Sequence, residues 1–131
     1  MMIKDVKFIE LPKFADPRGN LSFVEQNNHI PFEIKRTYWI YDVPGGESRG
    51  GHAYRETAEF IVPISGGFDV TVDDGKEKKT FTLNRSYYGL YIPKGLWRRW
   101  RISPLTRLPS NLRTQSSMQM TTFAIMSNLK F

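Results

Sequence analysis

Apolar and polar residues alternate over short stretches of this chain, and the stretches are cut by glycine and proline. Val6–Leu11 alternates in part and is followed by the turn Asp16-Pro17-Arg18-Gly19. Leu21–Glu25 then alternates over most of its length, as a half-buried strand does. Thr37–Tyr41 is rich in aromatic residues and stops at Val43-Pro44-Gly45-Gly46. Glu59–Ile64 leads into Ser65-Gly66-Gly67, and Phe68–Val72 alternates strictly up to Asp73-Asp74-Gly75, where an Asp-Gly pair tolerates the positive φ of a hairpin. Lys79–Leu83 and Tyr87–Ile92 follow, the second closed by Pro93-Lys94-Gly95. No segment carries the 3.6-residue period and caps of a helix, and no repeat is present. Short strands at this spacing predict one all-β domain, a barrel or a sandwich.

Composition agrees with a folded domain. Of 131 residues, 40% are hydrophobic and 14% aromatic, too many for a chain that stays disordered. No apolar run approaches the roughly 20 residues that span a bilayer, and the first residues lack a signal-peptide pattern, so the expectation is a cytoplasmic protein without a membrane partner. The absence of cysteine excludes disulfides, thiol catalysis and thiolate metal ligation. A net charge of +6 points to an anionic partner, a phosphorylated small molecule or a nucleic acid. The excess is uneven: from Trp97 onward there are six Arg and Lys residues (Arg98, Arg99, Arg101, Arg107, Arg113, Lys130) and no Asp or Glu.

Around Gly46 the spacing becomes specific. Gly46 is followed after five residues by His52, then by Tyr54, by Glu59, and after six more residues by Gly66. This pattern resembles the first motif of the cupins, with Tyr54 in place of the second histidine. The second motif is partial: Pro93 and Gly95 are present, Gly89 lies closer to them than the motif asks, and Arg98 stands where a histidine is expected. The resemblance implies a cupin barrel (a double-stranded β-helix or jelly roll). In metal-binding cupins these positions supply three imidazoles and a carboxylate. Here two of the imidazoles are replaced and Arg98 brings a permanent cation, so no metal and no other cofactor is expected. Glu59 is expected to pair with another side chain rather than ligate metal.

Four stretches narrow the resemblance: DPRGNL at 16–21, IPFEIKR at 30–36, RGGHA at 49–53 and YGLY at 88–91. From about Phe8 to Arg99 the chain is similar to the dTDP-sugar 3,4-ketoisomerases. That resemblance implies an isomerase that moves the keto group of a dTDP-linked 4-keto-6-deoxyhexose from C4 to C3 through an enediol. The route needs a base near neutral pH and a positive or hydrogen-bonding group beside the developing oxyanion. His52 is the candidate base, and Tyr54, Arg18 and Arg98 are candidates to stabilise charge or move protons. Arg49 and Lys35 are assigned to the diphosphate, Tyr38 and Trp39 to the sugar or the base, and Glu59 to the same site. A 3,5-epimerase and a non-catalytic nucleotide-sugar-binding cupin are the alternatives; nucleic-acid binding, which leans on the basic tail alone, ranks below them. The related proteins also imply a homodimer that exchanges N-terminal strands. Trp97 is expected in the core, and the Lys76–Lys79 run on a wet hairpin.

The cupin domain is expected over 1–99. Residues 100–131 read as an atypical tail in place of the last barrel strands, because 102–117 has no strand period and no acid although the barrel needs strands there. A slipped reading frame accounts for this composition. The competing account is a divergent but genuine tail whose Thr121–Met126 supplies a final strand.

Overall fold

The computed structural model describes residues 3–41, 48–53, 57–102 and 121–126. Apart from a 3-10 turn at Ile3–Asp5, its described elements are strands: β1 (Lys7–Glu10), β2 (Lys13–Asp16), β3 (Gly19–Ser22), β4 (Arg36–Ile40), β5 (Ser48–Ala53), β6 (Glu59–Ser65), β7 (Phe68–Asp73), β8 (Lys78–Leu83), β9 (Tyr88–Ile92), β10 (Trp97–Ile102) and β11 (Thr121–Met126). A five-stranded sheet runs β1-β9-β6-β11-β4, a four-stranded sheet runs β5-β10-β7-β8, and β2 and β3 form a separate hairpin. All their ladders are antiparallel.

Alternation decides what each strand buries. Phe68, Val70 and Val72 of β7 are fully buried and are joined from β8 by Phe81 and Leu83. From the other sheet, Ile61 of β6 and Leu90 and Ile92 of β9 close on the same cluster, so the two sheets enclose one core. Each such side chain contributes about 1.5–3 kcal/mol relative to exposure. Strand β6 is buried on both faces. Its Phe60 and Val62 point away from the shared core and are covered by Leu11, Ile30 and Phe32, contributed by chain outside the strands. A second apolar layer therefore makes β6 a continuous hydrophobic run instead of an alternating one. Pro63, which has no N–H, lies beyond the β6–β9 pairing and beside the register shift between β6 and β11.

Strand β11 fills a central place, with Phe123 paired to Trp39 on one side and to Val62 on the other. Residues 103–120, most of the stretch read as atypical, lie outside the described residues. The hairpin signal at 73–75 becomes the connection of β7 and β8, with Gly75 at φ 90° and its N–H donating to Asp73 Oδ1 at 2.7 Å. Lys76–Lys79 is exposed. Trp97 is a correction: it is 45% exposed, on the outward row of β10, because the inward row of that strand begins at Arg98.

Gly89 in β9 has no room for a side chain. A Cβ there would lie 2.5 Å from Phe60 Cζ and 2.6 Å from the Ile61 carbonyl oxygen. The Phe60 ring and the Ile61 carbonyl oxygen occupy the space that a methyl group would need. Gly89→Ala is expected to lower stability by about 1–3 kcal/mol through overpacking, read as a fall in the denaturation midpoint without a change of slope.

Candidate active site

Arg98 in β10 and Glu59 in β6 are each 1% exposed, and the guanidinium Nη2 donates to Glu59 Oε2 across the two sheets. The hydroxyl of Tyr38, from β4, donates to Glu59 Oε1 at 3.4 Å. All three follow from strand parity. Glu59 precedes Ile61 by two residues and shares its inward face, while Tyr38 lies on the inward row Arg36, Tyr38, Ile40. Arg98 opposes the fully buried Val72. Burial pushes the Glu59 carboxyl above its ordinary range; the attraction of Arg98 and the hydrogen bonds from Arg98 and Tyr38 oppose that shift without cancelling it.

His52 is brought to this centre by register. It is the Cα partner of Arg98 in the β5–β10 pair, and directly opposed residues of antiparallel strands share a face of the sheet. Arg49 occupies the position opposite Trp100, in the same row of β10 as Arg98. Tyr54 lies outside the described residues.

Other candidates are placed elsewhere. Trp39 alternates with Tyr38 and is 57% exposed on the outer face. Lys35 is exposed and pairs with Glu33 at 3.0 Å. Arg18 is at the tip of the β2–β3 hairpin, its side chain 91% exposed, and its Nη2 donates to Asp16 Oδ2 at 2.8 Å. That bond, helped by the Arg18 N–H, holds the Asp16 carboxyl below its usual range. Within one chain, then, packing gathers Tyr38, Glu59 and Arg98, register places His52 opposite Arg98 and Arg49 opposite Trp100, and Lys35, Trp39 and Arg18 lie away from that centre.

Arg36 was not among the sequence candidates. It is half-buried on the inward row of β4 and shares the β11 partner Met126 with Glu59. The alternation of Arg36-Thr37-Tyr38-Trp39-Ile40 was the available signal, since choosing Tyr38 as inward also makes Arg36 inward.

The FdtA family model (WxcM-like, C-terminal) matches residues 4–104. The chain belongs to this family. A curated relative, the TDP-4-oxo-6-deoxy-alpha-D-glucose-3,4-oxoisomerase of Aneurinibacillus thermoaerophilus, is 40% identical over 91 residues, which span 70% of this chain and 66% of that protein. Among solved structures, the WlaRB TDP-quinovose 3,4-ketoisomerase of Campylobacter jejuni superposes with a TM-score of 0.83 at 32% identity, covering 98% of this chain and 89% of that one. The sugar 3,4-ketoisomerase QdtA of Thermoanaerobacterium thermosaccharolyticum, solved with TDP, also gives 0.83, at 25% identity, with 99% and 85% covered. The jelly-roll architecture of FdtA relatives and this chain is thus the same, a cupin-type barrel.

The ion pair has a testable energetic signature. Glu59→Ala leaves the Arg98 cation buried without its carboxylate and is expected to cost about 3–5 kcal/mol. Glu59→Leu combined with Arg98→Met removes both charges and is expected to recover most of that loss. Urea denaturation of the wild type and the two variants checks this; a double variant no more stable than Glu59→Ala would contradict it.

Proposed function

We propose that this protein is a sugar-nucleotide 3,4-ketoisomerase acting on dTDP-4-keto-6-deoxyglucose, for the synthesis of deoxyamino sugars or cell-surface polysaccharide. The observation that carries the chemistry is the register pair of His52 and Arg98 on the face where Arg98 is held by Glu59. The 3,4-ketoisomerase names of the FdtA relatives favour keto transfer over 3,5-epimerisation.

In the proposed reaction His52 takes the proton from C3 of the substrate. The electrons of that C–H bond form a C3–C4 double bond, and the C4 carbonyl oxygen becomes the enediolate oxygen. Arg98 supplies fixed positive charge for that oxygen in a site shielded from water, where such charge acts strongly. A proton is then delivered to C4 while the C3 hydroxyl passes its own to the C4 oxygen, leaving a C3 ketone and a C4 hydroxyl; the proton taken by His52 replaces the one given to C4. Nothing is oxidised or reduced overall. Tyr54, a phenol and therefore a better donor than acceptor near pH 7, is assigned the return of the proton. Arg49 is assigned to the diphosphate, with Arg36 as a second cation on the inner face. Glu59 orients Arg98. Because that carboxylate is already bound by the guanidinium, the site is assigned no metal.

Arg18, Lys35 and Trp39 enter this reading through a homodimer. The β2–β3 hairpin carries exposed Phe14 and Leu21, with the partly exposed Phe23 just beyond it. These apolar side chains suit packing against a second copy, which would bring Arg18 of one subunit to the inner face of the other. The proposed location is the cytoplasm.

Incubation with dTDP-4-keto-6-deoxyglucose, followed by NMR, is expected to show the 3-keto product; exchange at C3 and C5 would indicate an epimerase. His52→Asn is expected to lower turnover about 10²- to 10⁴-fold with dTDP affinity little changed. Retention of more than about a tenth of wild-type turnover would remove His52 from the role of base.

The shared site has its own test. Arg18→Ala and His52→Asn homodimers are each expected to be nearly inactive, and mixing them with subunit exchange is expected to restore activity. No recovery despite demonstrated exchange would rule out a role for Arg18 across the subunit boundary.

A further inference from the structure

The two ladders of β10 differ. Against β7 it is unbroken, from Trp97 opposite Asp73 to Ile102 opposite Phe68. Strand β10 therefore alternates regularly, and Arg98, Trp100 and Ile102 occupy one row, opposite the fully buried Val72, Val70 and Phe68. Against β5, Trp97 faces Ala53 and Arg98 faces His52, but Trp100 faces Arg49 and Arg101 faces Ser48. Between these pairs the register slips. Arg99 alone on β10 stands against both Gly50 and Gly51 on β5.

Two residues opposing one is the definition of a β-bulge, a feature that re-aims the residues on either side of it. Arg49 and His52 are three apart in sequence. On a regular strand they would lie on opposite faces, and Arg49 would oppose Arg101, whose row of β10 is exposed at Arg99 and Arg101. The extra residue shifts the parity and puts both on the row of Arg98 and Trp100. Two residues there stand against Arg99 alone, and glycine, with no side chain and a wide choice of backbone angles, is suited to such a position.

We infer that Gly50 and Gly51 are positioning residues: their bulge sets the diphosphate-binding Arg49 on the same face as the catalytic His52. This inference rests on the proposed function for its ligand, and on the register alone for its geometry. The role of the glycines is to let one short strand present two groups that its sequence spacing would otherwise separate.

Deleting Gly51 provides a discriminating variant. It removes the bulge but leaves Arg49 two positions from His52, so a regular strand still pairs them with Trp100 and Arg98. Replacing both glycines by valine keeps the length, disfavours the bulge and moves Arg49 to the register position opposite Arg101. Calorimetry with TDP is expected to show near-wild-type affinity for the deletion variant. Gly50→Val/Gly51→Val is expected to lose about tenfold or more, matching Arg49→Ala. Cross-strand NOEs in the wild type are expected between His52 and Arg98 and between Arg49 and Trp100. The inference is overturned if a folded valine variant binds TDP like the wild type, or if the deletion variant loses as much as Arg49→Ala. NOEs pairing Gly50 with Trp100 overturn it too, whether or not the valine variant folds. If TDP does not bind the wild type, the nucleotide-sugar reading and the diphosphate role of Arg49 fail together, and the NOEs still judge the bulge separately.

Discussion

A carboxylate and a guanidinium buried together between two sheets constrain everything around them. Removing either ion from water costs several kcal/mol, and their mutual attraction offsets this only when the contact is close and further hydrogen bonds help. Glu59 and Arg98 meet those conditions across the barrel, with Tyr38 as an additional donor to the carboxylate. Such a pair adds little net stability over a well-packed apolar one. Its consequence is positional: β6 and β10 must approach with these residues facing each other, which holds a charged pair beside the apolar cluster of Val70, Val72, Ile61 and Leu90.

In the proposed function that centre is shared. Arg98 is bound on one side by Glu59 and opposed in register by His52 on the neighbouring strand. A fixed cation next to the residue assigned as base suits chemistry in which negative charge develops on a sugar oxygen. The β2–β3 hairpin, with Arg18 at its exposed tip, contributes nothing to that centre within a single chain, so its assigned role requires a second copy.

The alternation of Phe68–Val72 is matched by β7, whereas Leu21–Glu25, which also alternates, is strand only at Leu21 and Ser22, the end of β3. β7 and β8 follow their patterns closely, because one face meets the core and the other meets water. β2, β5 and β10 carry no strand pattern in the sequence, for local reasons. Lys13–Asp16 is exposed along its whole length, so burial leaves no period on it. Ser48–Ala53 is interrupted by the Gly50–Gly51 bulge, which breaks the period of two. Trp97–Ile102 places a charge inward and a tryptophan outward, the reverse of the usual code. Whether Tyr38 or Trp39 faces inward is not set by a stretch in which nearly every side chain is large; once Tyr38 is inward, Arg36 follows by alternation.

The amino-acid sequence by itself determined the all-β class and the turns at its glycines and prolines, while its resemblance to the cupin motifs singled out His52, Glu59 and Arg98. These are properties of neighbours in the chain, where backbone sterics and a two-residue period act directly. Which residues meet was decided only by the tertiary structure. The contact of Glu59 with Arg98 spans 39 positions, and the pairing of His52 with Arg98 depends on where β5 and β10 register. The cover of Phe60 over Gly89 depends on a second apolar layer. Long-range pairing of this kind is set by the burial of whole sheets against each other, which no local pattern records.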